Sequence, residues 1–266
     1  MRSIRELVDR PIIMAGVQRQ QVEANFEFLD EPLIDAAERS LACQKYYAST
    51  DGLNWPYCKP ISATSTIFLR RGLIDRLLVA NEILLEFGLK VLLLDGLRTL
   101  EDQMALWEFF KKRIHEQKPE LSPELVAEKS GRYCWNPALF DGDSPTSWPV
   151  HMTGGAVDLT MCSATAGTPC FLGGVFDDPS DVSHTVHFEN YLAQVGGQFE
   201  RLTNSQQVAL LNRRVLYHSL ESVGLTNYPA EWWHFDFHTI LQAQRIQPPN
   251  PFAIYRVPQS LENTAL

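Results

Sequence analysis

Pro149–Asp158 reads PVHMTGGAVD, and Glu231–Asp236 reads EWWHFD. Together they bring two histidines, an aspartate and a glutamate, the donor types of a catalytic zinc site with three protein ligands and a fourth position left for water. His151, Asp158 and His234 are read as ligands, and Glu231 as the base beside them. The flanking patterns place Asp158 and His234 on strands, with His151 entering from the loop before them. GAVDLTM reads as a strand, and EWWHFDF alternates as a strand does.

The spacing sets two geometric demands. His151 and Asp158 are seven residues apart, so a flat strand would put them on opposite faces. Gly154 and Gly155 must bend the chain between them. Glu231 and His234 are again of opposite parity, so Glu231 must sit at the strand's entry or the strand must be bulged.

Working outward, Ile67–Phe87 repeats apolar residues at helical spacing and stops at Gly88. Val91–Asp95, VLLLD, is a continuous apolar run that reads as a buried strand ending at Gly96, with Arg98 just beyond. Thr99 opens a second helix with Asp102 three residues on, in the manner of a capping box. Ser122 and Pro123 open a third, and Ser205–Val223 forms a further long amphipathic helix ended by Gly224. Pro32–Ser40 reads as the start of a short helix, and residues 163–200 as irregular. The tail from Gln247 reads as proline-rich and without regular structure. The loop from Tyr46 to Pro60 carries Tyr46, Tyr47, Trp55 and Tyr57, rings that either line a pocket or pin the loop to the core. Helices and strands intersperse without strict alternation. The expected architecture is one α+β domain spanning 1–266, with helices packed on a mostly antiparallel sheet.

Composition bounds the function. The chain has 266 residues, 45% of them apolar, and a formal net charge of −9. It can bury a sizeable core, and its acidity disfavours nucleic-acid phosphates as a partner. No apolar run approaches a membrane span and no signal-peptide pattern opens the chain, so the expectation is a cytoplasmic protein without a membrane partner. The five cysteines form no C-x-x-C pair and read as free thiols, a Cys162–Cys170 disulfide being open only to an exported protein. The sequence leaves the oligomeric state open.

Each ligand has a duller alternative, because a histidine standing alone is more often exposed or hydrogen-bonded in a core. Rival donors also exist. His184 and His187 form an H-x-x-H pair with only Glu189 nearby. His238 shares a strand face with His234 and is the most credible substitute. His218 reads as a structural residue near the polar side of its helix, and His115 as exposed.

The combination H-x-x-G-x-A-x-D (His151, Gly154, Ala156, Asp158) with E-x-W-H (Glu231, Trp233, His234) resembles the zinc D-alanyl-D-alanine dipeptidases of the VanX type, within the Hedgehog-like zinc D,D-peptidases. The likeness extends, in order, through YYASTDGLNWPYCKP, LLLDGLRTLEDQ, GGVFDDPSDVSH and LLNRRVLYHSLESVGL, over roughly residues 45–238. It implies one Zn²⁺ per chain held by His151, Asp158 and His234. It further implies Glu231 as general base, Arg98 as transition-state stabiliser, and a small dipeptide substrate. Asp177 would meet the substrate ammonium, and Tyr46 or Tyr47 one terminus. Pro149 departs from the serine usual at its position, and Leu97 and Thr99 replace the residues usual around the arginine. The implied activity is hydrolysis of D-Ala-D-Ala or a related D-dipeptide in peptidoglycan metabolism. The alternatives are a D,D- or L,D-carboxypeptidase on muropeptides and a non-catalytic zinc-binding recognition module.

Overall fold

The structure, a computed structural model, describes residues 4–14, 26–131, 133–246 and 252–258. In chain order, α1 is Ile4–Val8, β1 Phe26–Leu29, β2 Leu33–Asp35, β3 Ala42–Cys43, β4 Phe68–Arg70, α2 Arg71–Leu85, β5 Leu89–Asp95, α3 Leu100–Gln117, α4 Pro123–Ser130, β6 Ala156–Ser163, α5 His187–Gln194, α6 Asn204–Ser222, β7 Thr226–Tyr228, β8 Glu231–Asp236, α7 Ile240–Ile246 and β9 Phe252–Tyr255. The class is α+β, as expected.

The main sheet runs β3-β5-β6-β8-β7. Only β3–β5 is parallel; the other neighbours are antiparallel. The apolar run of β5 explains its interior place: Val91 and Leu93 are fully buried, and β6 is buried over nearly its whole length. Helix α2 lies against β5 and α6. It turns Leu73, Ile74, Leu77, Ala80 and Leu84 inward, the stripe its spacing predicts. Val157, Leu159 and Met161 of β6 share that core. The alternate residue Asp158 therefore faces the other side of the sheet, where the site lies.

Helix starts follow their caps. The Thr99 side chain accepts from Asp102 N at 3.1 Å, and Ser122 caps α4 with Pro123 in its first turn. The reciprocal capping box is instead at Thr203 and Gln206, opening α6.

Four expectations need correction, all where short elements depend on distant partners. The helix read over Ile67–Phe87 is α2 alone, because Phe68–Arg70 pairs with Leu33–Asp35 as a strand. The same pairing makes 33–35 a strand, leaving only a single turn at Ala37–Arg39 where a short helix was read. Residues 163–200 contain α5, whose Phe188 is buried against Leu202, Ala209 and Leu210. Part of the tail is regular too: Phe252–Tyr255 pairs in parallel with Phe26–Leu29, a register that no local pattern encodes. The rest of the tail, 247–251 and 259–266, lies outside the described residues.

Candidate active site

His151 occupies a single helical turn, Val150–Thr153, closed by Gly154 at φ 72°. A Cβ on Gly154 would stand 2.5 Å from Leu33 Cδ2, and one on Gly155 2.6 Å from Phe237 O, so the bend requires both glycines. Arg70 clamps the turn. Its Nε–H donates to Thr153 O at 2.8 Å, and its other nitrogens donate to Glu31 O and Arg256 O. Asp158 and His234 are direct partners across β6 and β8, which puts their side chains together on one face. Glu231 is the first residue of β8, and the β7–β8 register shifts between Asn227 and Tyr228. Both geometric demands of the sequence are thus met.

Three donor atoms converge. His151 Nε2 is 3.2 Å from His234 Nδ1 and 3.4 Å from Asp158 Oδ1, and His234 Nδ1 is 3.0 Å from Asp158 Oδ1. Tetrahedral ligands at about 2.0–2.1 Å from a zinc ion stand about 3.3–3.4 Å apart, so this triangle fits the metal closely. The outer nitrogens fit as well. His151 Nδ1–H donates to Gly96 O at 2.9 Å, which leaves Nε2 its lone pair. His234 Nε2 is buried without a hydrogen bond, 3.4 Å from Asp236 Oδ2, a small rotation from a carboxylate–histidine pair. Without a cation the triangle holds mainly acceptors. Burial opposes charge on His234, yet Asp236 and Asp158 hold its pKa well above the usual range. Burial likewise opposes charge on Asp158, but the two histidines depress its pKa.

Around the triangle lies a cavity of about 290 Å³. Arg98 enters it with Nε and Nη2 on Asp95 Oδ2 at 3.0 and 2.8 Å, Nη2 3.4 Å from Asp158 Oδ2, and Nη1 3.3 Å from Gln103 Oε1. A guanidinium has five N–H groups, so one on Nη1 still points free of these partners. Glu231 Oε2 is 3.9 Å from His234 Nδ1 with its side chain 34% exposed on the cavity wall. Burial among the surrounding atoms raises its pKa to about 7; His234 opposes this, and Asp158 and Asp177 add to it. Asp177 lines the same cavity at φ 63°, accepting from Tyr47 Oη at 3.1 Å and from Tyr57 Oη. Burial raises its pKa to about 6 against the lowering effect of the Tyr57 bond.

Of the four aromatic residues in the 46–60 loop, Tyr47 and Tyr57 line the cavity and Tyr46 and Trp55 do not. The expected Tyr46 contact is therefore corrected: its hydroxyl donates to Trp55 O at 2.6 Å, and Tyr57 takes the place beside Asp177. His238, the substitute ligand, lies beyond the end of β8 at φ 50°, bound to Ala253 O at 2.7 Å. His184 and His187 form no metal-ligand group with a third donor among the described residues. His218 is structural but buried, with Nε2 donating to Arg10 O at 2.9 Å. Sequence reasoning missed Asp95 and Asp236, which hold Arg98 and face His234. Both stand at strand ends, three residues from Arg98 and two from His234, a closeness in sequence that does not show which way the side chains point.

Comparison with known proteins adds three findings. A family model described as D-Ala-D-Ala dipeptidase matches residues 41–249. The D-alanyl-D-alanine dipeptidase of Synechocystis sp. is 28% identical over 177 residues, covering 64% of this chain and 69% of that one. A crystal structure of a mutant vancomycin-resistance D,D-pentapeptidase, VanY, in complex with Zn(II), aligns at TM-score 0.34 and 12% identity over 67% of this chain and 77% of that one. The last is too distant to bear on the site.

Proposed function

The chain belongs to the D-Ala-D-Ala dipeptidase family of metallopeptidases, and on that premise we propose that it is a zinc dipeptidase cleaving D-Ala-D-Ala or a related D-dipeptide. The observation carrying this reading is the triangle of His151, Asp158 and His234 inside a cavity that also presents Glu231 and Arg98. One Zn²⁺ per chain would be held by those three side chains. It would supply Lewis acidity and a water of lowered pKa, from ~15.7 toward ~7.

The chain's own residues do the rest. Glu231 accepts the proton as water attacks the scissile carbonyl, then returns it to the leaving amine. Arg98, which lines the cavity, stabilises the developing oxyanion through the N–H that Asp95, Asp158 and Gln103 leave over, while Asp95 keeps the guanidinium from rotating. Asp177, supported by Tyr47 and Tyr57, receives the substrate ammonium and so fixes which peptide bond meets Glu231.

The matched span, 41–249, contains every residue of this scheme, which supports reading the chain as one peptidase domain. Among the described residues no helix is long and apolar enough to cross a membrane. All five cysteines are free, which supports a reducing compartment. In such a compartment a free dipeptide of peptidoglycan metabolism is the accessible substrate.

The test is D-alanine release from D-Ala-D-Ala by the purified protein, with metal measured on the same sample. About one equivalent of zinc with chelator-sensitive release is the expected result. Release that persists in metal-free protein would overturn the mechanism.

A further inference from the structure

The cavity that holds the metal triangle and Asp177 also includes a compartment of different chemistry. Its walls are Trp148 and Pro149 from the loop before His151, and Ile240, Leu241 and Gln244 from α7. The two ends belong to different cores. Tyr47, Tyr57 and Phe176 pack in the main core, whereas Trp148 packs with Ala243, Phe252 and Ile254 in a separate cluster. The cavity spans the seam between them. Trp148 is held rigidly, its Nε1–H donating to Asp141 O at 2.9 Å and its ring 5.9 Å from that of Phe28.

One feature of this compartment bears on its occupant: Pro149 offers neither an N–H nor a side-chain donor to a substrate carboxylate. With a methyl side chain in this compartment, the apolar walls would stay in contact with water. A larger apolar side chain would remove them from it, at ~25 cal/mol per Å² of apolar surface buried.

We propose that this compartment binds the leaving residue of the substrate and selects a bulky apolar or aromatic D-residue over D-alanine. The proposal rests on the dipeptidase reading above, in which Asp177 takes the ammonium end and so directs the second residue here.

The experiment compares kcat/KM for D-Ala-D-Ala, D-Ala-D-Leu and D-Ala-D-Phe. It also compares binding of the same dipeptides to zinc-loaded Glu231→Ala protein, read by tryptophan fluorescence. D-Ala-D-Phe is expected to exceed D-Ala-D-Ala about tenfold or more in both measurements. Filling the compartment with Leu241→Trp is expected to bring that ratio to about one. Equal or better use and binding of D-Ala-D-Ala would overturn the compartment's role while leaving the dipeptidase reading in place. Binding and turnover of none of the three would overturn both.

Discussion

His234 and Arg213 are both buried polar side chains, and their surroundings are opposites. Every nitrogen of Arg213 is answered: Nε by Leu172 O at 2.8 Å, Nη1 by His184 O at 2.7 Å and Nη2 by Val182 O at 2.6 Å. Its guanidinium also lies 4.7 Å from the centre of the Phe188 ring. Arg214, next along α6, is closed in the same way by both Glu189 oxygens at 2.7 Å and by Val8 O. Around His234 the groups converge without closing. Three donor atoms face one another, and Nε2 has no hydrogen bond. A closed network anchors loops to a helix. An open one, equally buried, is arranged for something the polypeptide does not itself supply.

The largest expected effect comes from breaking the open network. His234→Ala should reduce bound metal well below one equivalent and bring dipeptide hydrolysis to the limit of detection. A variant that kept stoichiometric metal would erase the contrast. Next, Glu231→Ala should retain metal while kcat falls about 10²–10⁴-fold, the usual contribution of a general base. Asp236→Asn, which weakens the carboxylate opposite His234, should loosen metal about 10–100-fold in a chelator competition. The closed network should respond in stability instead. Arg213→Met leaves buried carbonyls unpaired and should cost about 1–3 kcal/mol in urea denaturation, with kcat per folded molecule close to the parent's.

The smallest effect concerns pH. Glu231 must be ionised to accept a proton, and burial places its pKa near 7. A bound cation stabilises the carboxylate and moves that pKa lower. kcat/KM should therefore fall as pH drops through a limb below 7, about tenfold per unit. Glu231→Gln should lose that limb together with most of the rate. An acid limb that survives in the variant would assign the titration to another group.

The α6 anchors were invisible in the sequence for a physical reason. The N-R-R stretch is legible as part of a helix, but the carbonyls that satisfy Arg213 come from loops roughly 30–40 positions earlier. The metal triangle was legible as a candidate because its chemistry restricts residue type, and the family resemblance set it above the rival histidines. Few side chains donate to zinc, and His151, Asp158, His234 and Glu231 stood in two short stretches with a Gly-Gly bend between His151 and Asp158. The Tyr46 misplacement shows the limit: the aromatic loop was recognised, but not which rings turned toward Asp177.

By itself the sequence marked the candidate ligands, the glycine bend, the long helices, the Thr99 and Ser122 caps, and the strands β5 and β6. These features are carried by residue type and short-range periodicity, which act before any distant contact forms. Only the tertiary structure decided that Phe26–Leu29 pairs with Phe252–Tyr255 and that 33–35 and 68–70 are strands. It also decided that Asp95 holds Arg98 and Asp236 faces His234. Strands of three or four residues have too little periodicity to be read locally. Asp95 and Asp236 stand only three and two residues from their partners, but such neighbours meet only where the folded backbone turns their side chains together.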